Sequence, residues 1–420
     1  MRKRKRVVFL ADCQSFYASC EKVANPRYRN KPLVVAGDPK RRSGIILAAC
    51  PLAKGFGVTT AESLRESLRK CRNLVVQQPR MAHYIKTSLL ITKIYESYTP
   101  LVEPFSIDEQ HIDVTDSLKF YGCSPVELAE HIKMRVMKET GINIRIGIGE
   151  NKVLSKLATD NFAKKNDSGI YELSKEDFSP LWSLEVNKMF GIGSRMMVHL
   201  HRCGIKTIGD LANTPLDKLK SKFKQVLGRQ SDIHAEMLWN IANGVDESPV
   251  VPDAFEQQKG IGRQTTLPVD FDKLDDIMVV ILELAALVCQ RSRQKGYLGN
   301  VVHVGAQGAD FDQPMGFSRQ MKLEDPTNIT KEVYSGAKKV FEKHWTGYPV
   351  RKLWLSLSNL QSDEVVQLTL FGEREKQMAV ESTMDRIHEK YGSTSIFFAS
   401  SLKKSSQNQI LSRKIGGHYK

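Results

Sequence analysis

The first 170 residues alternate β-rich apolar runs with segments of helical spacing. Residues 7–12 form a β-rich run that ends in the carboxylate of Asp12, and residues 15–23 follow as a helix. Short strands are predicted at 33–37 and 45–49. Over residues 80–98, Met81, Tyr84, Ile85, Leu89 and Ile91 cluster on adjoining faces of a helix. Residues 102–107 and 111–114 read as strands around a tight Asp108-Glu109 turn. Pro125 after Ser124 opens a helix that runs to about Thr140. Residues 142–149 alternate as a strand, and 151–164 form a helix.

With residues 21–77 set aside as an insertion, the order is strand, helix, strand, strand, helix, strand. That is the split βαβ, or ferredoxin-like, arrangement. Its first and second strands are parallel, with the third between them. The end of the first strand and the turn between the second and third therefore share one edge of the sheet. Asp12, Asp108 and Glu109 are brought together there from distant parts of the chain.

Residues 180–245 read as short helices with glycine turns. An acidic, proline-containing stretch at 246–256 reads as a linker. A second strand-helix-strand-strand-helix-strand series follows, over 262–267, 272–294, 300–306, 317–323, 328–343 and 351–357. It is expected to repeat the first topology without the paired turn carboxylates, and it reads as a binding domain. From Gln361 the chain is polar apart from Leu368, Leu370 and Phe371. The last 19 residues hold five Lys or Arg and no acid, and are expected to form a mobile tail.

Charge adds a partner class. Sixty-two Lys and Arg against 47 Asp and Glu leave a net charge of +15, which suits a polyanion. The longest nearly apolar stretch, 277–289, is interrupted by Glu283 and is too short to span a bilayer, so no membrane role is expected. The N-terminus lacks a clear apolar signal-peptide core. Seven cysteines without a C-x-x-C pair point to reduced thiols and a cytoplasmic location.

Three converging carboxylates repel one another unless a counter-charge sits among them. Mg²⁺ prefers such oxygen ligands, together with substrate phosphates. Two ions about 3.5–4 Å apart can activate a 3′-hydroxyl and stabilise leaving pyrophosphate. On the residues alone, two other readings stay open: another palm enzyme, such as a nucleotide cyclase, and a catalytically silent DNA-binding scaffold.

Ser106-Ile107-Asp108-Glu109, together with Asp12-Cys13-Gln14-Ser15-Phe16-Tyr17-Ala18, closely resembles the Y-family translesion DNA polymerases. Ala53-Lys54-Gly55-Phe56-Gly57-Val58, Gly147-Ile148-Gly149-Glu150-Asn151-Lys152 and Phe190-Gly191-Ile192-Gly193 support it, in the family's order over roughly residues 7–360. The bacterial UmuC or UvrX type is the most similar subgroup. The resemblance implies an α+β multidomain fold. Its parts would be a ferredoxin-like palm (1–20 and 78–170), inserted fingers (21–77) and a helical thumb with a helix-hairpin-helix (171–245). A linker (246–258), a βαββαβ little finger (259–360) and a C-terminal tail (361–420) would follow.

The resemblance further implies error-prone, template-directed synthesis opposite damaged bases with two Mg²⁺ ions. Asp12 and Asp108 would bridge the metals, with Glu109 beside them and the Cys13 backbone carbonyl as a further ligand. Phe16 and Tyr17 would meet the nucleotide sugar, Tyr17 as the steric gate against a ribose 2′-hydroxyl. Lys54 and Lys164 would hold the triphosphate. Many members have Tyr and, three residues later, Arg where this chain has Pro51 and Lys54, so the fingers lack a planar fork. Gly191, Ile192 and Gly193 would approach the DNA backbone, and Arg263 and Arg319 are candidate phosphate contacts. Gln367, Leu368, Leu370 and Phe371 resemble the peptide by which bacterial repair polymerases dock on the sliding clamp. The implied partners are primer-template DNA, deoxynucleoside triphosphates and that clamp. The enzyme would be a monomer, open to an accessory subunit, in a nucleoid-associated bacterial setting.

Overall fold

A computed structural model describes residues 5–37, 44–228, 231–252, 258–310, 312, 315–364, 374–415 and 418–419. The chain divides into two compact units. One comprises Met1–Ala36, Ile46–Gln77 and Ala82–Ala254; the other comprises Gly37–Ile45, Gln78–Met81 and Phe255–Lys420. The residues suggested for clamp docking, Gln367, Leu368, Leu370 and Phe371, lie outside the described residues.

In the first unit β1 (Val8–Cys13) is wholly buried, as a central strand requires. Three short strands follow: β2 (Leu33–Ala36), β3 (Ile46–Ala49) and β4 (Val75–Gln77). They form a separate sheet in the order β3-β2-β4. The chain returns through β5 (Val102–Pro104), β6 (Glu109–Asp113), β7 (Ile144–Gly149) and β8 (Ile170–Glu172), giving the order β5-β6-β1-β7-β8. β1 is antiparallel to both β6 and β7, and β5 is antiparallel to β6. This is the split βαβ order that the sequence pattern predicts, with β8 added parallel to β7.

The crossover helix Pro125–Thr140 has the ends its sequence dictates. Ser124 and Glu127 form a reciprocal capping box, Pro125 sits at the first turn, and Gly141 ends the helix at φ 69°. Helix Lys152–Ala158 carries chemistry on one side and packing on the other. Its Leu154, Leu157 and Ala158 enter the core of the helices between Ser179 and Ala242. Asn151 fixes its start, accepting from the Leu154 amide at 2.8 Å and donating to the Gly244 carbonyl at 2.9 Å.

The second unit holds β9 (Gly260–Phe271), β10 (Tyr297–Gly308), β11 (Gly316–Thr327) and β12 (Val350–Ser362), with helices Leu274–Gln294 and Thr330–His344. The element series is the expected βαββαβ, but the spatial order β11-β10-β12-β9 is not that of the first sheet. Its second and fourth strands are central, whereas the first sheet centres its first and third. The pattern of strands and helices is the same in both permutations, so periodicity cannot tell them apart.

The polar tail from 361 carries no expected element, and its last 19 residues are expected to be mobile. Instead, helix Arg374–Tyr391 and the turns after it are tied to this unit. Buried Glu283 accepts from Ser401 Oγ (2.7 Å), Ser406 Oγ (2.5 Å) and the Gln407 amide (2.8 Å). Arg293 pairs with Glu381 and, at 2.6 Å, with Asp385. Among the described residues no helix is long and apolar enough to cross a membrane, and all seven cysteines are free.

Candidate active site

β1 delivers Asp12, and the register sets its neighbours: Asp12 lies opposite Glu109 on β6 and opposite Arg145 on β7. Directly paired residues share a face, so Glu109, Asp12 and Arg145 form one row across the sheet. Ser106 shapes the turn before β6. Its Oγ accepts from the amides of Asp108 (3.3 Å) and Glu109 (3.1 Å) and donates to Asp108 Oδ1 at 2.6 Å. The Asp108 carbonyl accepts from the Cys13 amide at 2.9 Å, which ties the turn to the end of β1.

Two lysines face these acids. Lys164 Nζ lies 2.7 Å from Asp12 Oδ2 and 3.6 Å from Glu109 Oε1. Lys156 Nζ lies 2.6 Å from Glu109 Oε1. Between them stands Asp160, 3.1 Å from Lys156 and 2.8 Å from Lys164. A π-helical turn, Thr159–Ala163, precedes Lys164; such turns recur at functional sites. Thr159 anchors it, with Oγ1 donating to the Leu10 carbonyl (3.0 Å) and accepting from the Gly147 amide (2.9 Å).

Carboxylate oxygens of Asp12, Glu109 and Asp160 all lie within 4.8 Å of one another. Hard oxygen donors this close suit a hard divalent cation. Asp160 was not anticipated from sequence; its signal is the Lys156–Asp160–Lys164 spacing of four and four, which also marks an ordinary solvated helix face. Asp108 stands beside the group, held by Ser106.

Burial, then the hydrogen bond with Glu109, raises the Asp12 carboxyl to about 8, against the pull of Lys164. In Glu109 burial is outweighed by the hydrogen bond from Asp12 and by Lys156, which hold it at about 2. Close carboxylates repel one another when both are ionised, which favours a counter-charge beside them. Burial also raises the Cys13 thiol well above its ordinary range.

Beside the acids opens a cavity of about 530 Å³ lined by Asp12, Ser15, Tyr17, Lys54, Arg145 and Lys164, among others. Tyr17 stacks on Tyr84 (centroids 4.6 Å apart, 17° between planes), and Tyr84 donates to Glu21 at 2.7 Å. Phe16 is buried against both rings. Lys54 is exposed on the short helix Pro51–Gly55.

Gly191 has φ +87° and Gly193 leaves open space where a Cβ would stand, while Ile192 is buried. That combination lets another backbone approach the hairpin closely. Phe190 packs edge-on against Phe105 at 5.7 Å, and Lys156 lies 5.2 Å from the Phe105 centroid.

The two arginines suggested as phosphate contacts sit at the two edges of the second sheet. Leu355 pairs with Arg263 and with Val304, and Val304 pairs with Arg319. Both arginines therefore end a row on the face that the helices cover. Arg263 is half-buried, donating to the carbonyls of Leu411 (3.2 Å) and Lys414 (3.0 Å). Arg319 is exposed on the edge strand β11. The opposite face carries Gln264, His303, Gln307, Lys352 and Trp354, which the alternation along each strand could have revealed.

The fold is shared with a solved polymerase. The chain superposes over 84% of its length on 98% of a Y-family DNA polymerase chimera of Dbh and Dpo4, with a TM-score of 0.69 at 23% identity. Sequence similarity defines the family. The impB/mucB/samB family matches residues 11–160 and its C-terminal domain residues 258–370. The chain is 50% identical to DNA polymerase IV 2 of Bacillus subtilis over 99% of its own length and all of the relative's. It is 47% identical to DNA polymerase IV 2 of Halalkalibacterium halodurans, again over 99% and 100%. These relatives are named polymerase IV, a different label from the UmuC or UvrX subgroup that the motifs resemble. The chain belongs to the impB/mucB/samB family and is a Y-family, DNA-directed DNA polymerase of translesion synthesis.

Proposed function

We propose that this polymerase is error-prone and adds deoxynucleotides opposite damaged template bases by two-metal-ion transfer with Mg²⁺. The observation that carries this reading is the acid cluster of Asp12, Glu109 and Asp160, flanked by Asp108 and bordering a cavity that Tyr17 shares. Asp12, Asp108, Glu109 and the Cys13 carbonyl are the groups to hold the ions. When bound, these would lower the barrier to attack by the primer 3′-hydroxyl and neutralise charge on the departing pyrophosphate.

The chain's own residues do the rest. Lys164 and Lys54 neutralise triphosphate charge, and the Tyr17 ring closes the space a 2′-hydroxyl would need. We assign the palm to 1–20 and 78–170, the fingers to 21–77, the thumb to 171–245 and the little finger to 259–360, with Gly191, Ile192 and Gly193 letting the DNA backbone approach the thumb. Gln367, Leu368, Leu370 and Phe371 are the peptide that docks on a bacterial sliding clamp, and the enzyme acts as a cytoplasmic, nucleoid-associated monomer. The test is primer extension with Mg²⁺ on intact templates and on templates bearing an abasic site or a bulky adduct. We expect insertion opposite the lesion and frequent mismatches on intact DNA. Accurate synthesis that stops before every lesion would overturn the reading.

A further inference from the structure

Arg145 is the unused member of the row Glu109–Asp12–Arg145. β1 separates it from Glu109, so it lies on the far side of Asp12 from the Asp108-Glu109 turn. It lines the same cavity as Asp12, Lys54 and Lys164. Asp12 would be its natural partner, yet Asp12 is engaged by Lys164 at 2.7 Å. Arg145 instead reaches to Gly169, where a Cβ would fall 2.6 Å from its Nη1, and donates from Nη1 to the Asn166 carbonyl at 3.1 Å.

Among the described residues Arg145 makes no ion pair, and its buried Nε has no hydrogen-bond partner. A half-buried guanidinium without an anion is costly to keep. Ser15, in the left-handed region at φ 50°, lines the same cavity, and its buried Oγ also lacks a partner. Those two atoms are closed off from solvent, but Arg145 Nη2 donates to no described residue and suits a ligand rich in acceptor oxygens.

We propose that Arg145 is a substrate-binding residue for the β,γ-phosphate end of the incoming nucleoside triphosphate and for the pyrophosphate released from it. This rests on the polymerase reading above and names the residue that supplies the planar fork absent from Lys54. In the transfer, the primer O3′ loses its proton to solvent water and bonds to the α-phosphorus. The bond from that phosphorus to the bridging oxygen breaks, and the pyrophosphate leaves with the electron pair. Arg145 stands on the leaving side, since Glu109 and Asp108 occupy the other side of Asp12. Its paired N–H groups match phosphate oxygens in a way an ammonium cannot.

The full-length protein tests this with Arg145→Gln and Arg145→Lys in single-turnover insertion on undamaged primer-template. Loss of a charge-assisted contact should raise the nucleotide concentration for half-maximal rate about tenfold or more. Because the same contact would meet the departing pyrophosphate, the maximal rate should also fall, while the primer-template Kd should stay near the parent's. The Lys variant should recover only part of the loss. On a dideoxy-terminated primer, where no chemistry occurs, the Gln variant should also lose much of its preference for nucleoside triphosphate over diphosphate.

If primer-template binding weakens while nucleotide binding does not, Arg145 serves a DNA phosphate and the assignment falls. If neither changes, it is a packing residue and the assignment also falls. Should Arg145→Gln fail to fold, the Lys variant carries the test, because it keeps the charge and loses only the fork. Failure of the polymerase reading is separate: the parent protein itself would then extend no primer.

Discussion

Tyr17 owes its position to Tyr84. The two rings stack 4.6 Å apart, and the Tyr84 hydroxyl donates to Glu21, so the ring proposed as the steric gate has a packed support behind it. Tyr17→Ala should therefore raise ribonucleotide use sharply, with the deoxy-to-ribo ratio of kcat/KM falling roughly a hundredfold for a few kcal/mol of lost discrimination. An unchanged ratio would reassign Tyr17 to packing. The same scale explains what the sequence could and could not disclose about the acids. Asp12 ends a β-rich run and Asp108-Glu109 fills a turn, so topology alone brings them together. Asp160 belongs to a helix, where an acid between lysines is unremarkable, and its approach to Asp12 depends on a π-helical turn that no periodicity marks.

Elements were legible wherever one face is buried. The split βαβ order of β5-β6-β1-β7 follows from strand and helix spacing, and the capping box at Ser124 from four letters. The second sheet was legible as a series and not as an order, because its permuted strands need the same alternation. Arg263 and Arg319 were chosen for charge, while the period of two along β9 and β11 puts them on the helix side. The C-terminal segment misleads in a different way. Its composition is polar, yet Glu283 accepts three hydrogen bonds from it in a buried setting. Removing that carboxylate leaves buried donors unmet, so Glu283→Ala should destabilise the second unit by roughly 2–3 kcal/mol. Urea denaturation would read the fall in midpoint, and limited proteolysis should release a fragment beginning near Arg374. A midpoint equal to the parent's would mean the segment contributes nothing to the unit.

At the scale of the whole molecule, a net charge of +15 and a distributed set of lysines and arginines favour binding to any duplex through its phosphates. Phosphate-driven binding weakens as salt rises, and a tether converts rebinding into a local event. The proposed clamp peptide would serve as that tether. Leu370→Ala combined with Phe371→Ala should leave extension on bare primers intact and abolish stimulation by a loaded clamp. Equal stimulation of the double variant would remove the clamp from the account.

The central claim is that the acids joined by β1 and the turn before β6 perform the transfer, while DNA affinity comes from elsewhere. It is tested most directly by Asp108→Ala and Glu109→Ala, each assayed for single-turnover insertion with Mg²⁺ and for primer-template binding in the same buffer. We predict a loss of rate of at least about 10²-fold in both, since each removes charge aimed at the reacting centre. Binding should stay within about twofold of the parent, because the phosphate contacts are untouched. Near-normal insertion by both variants would contradict the account.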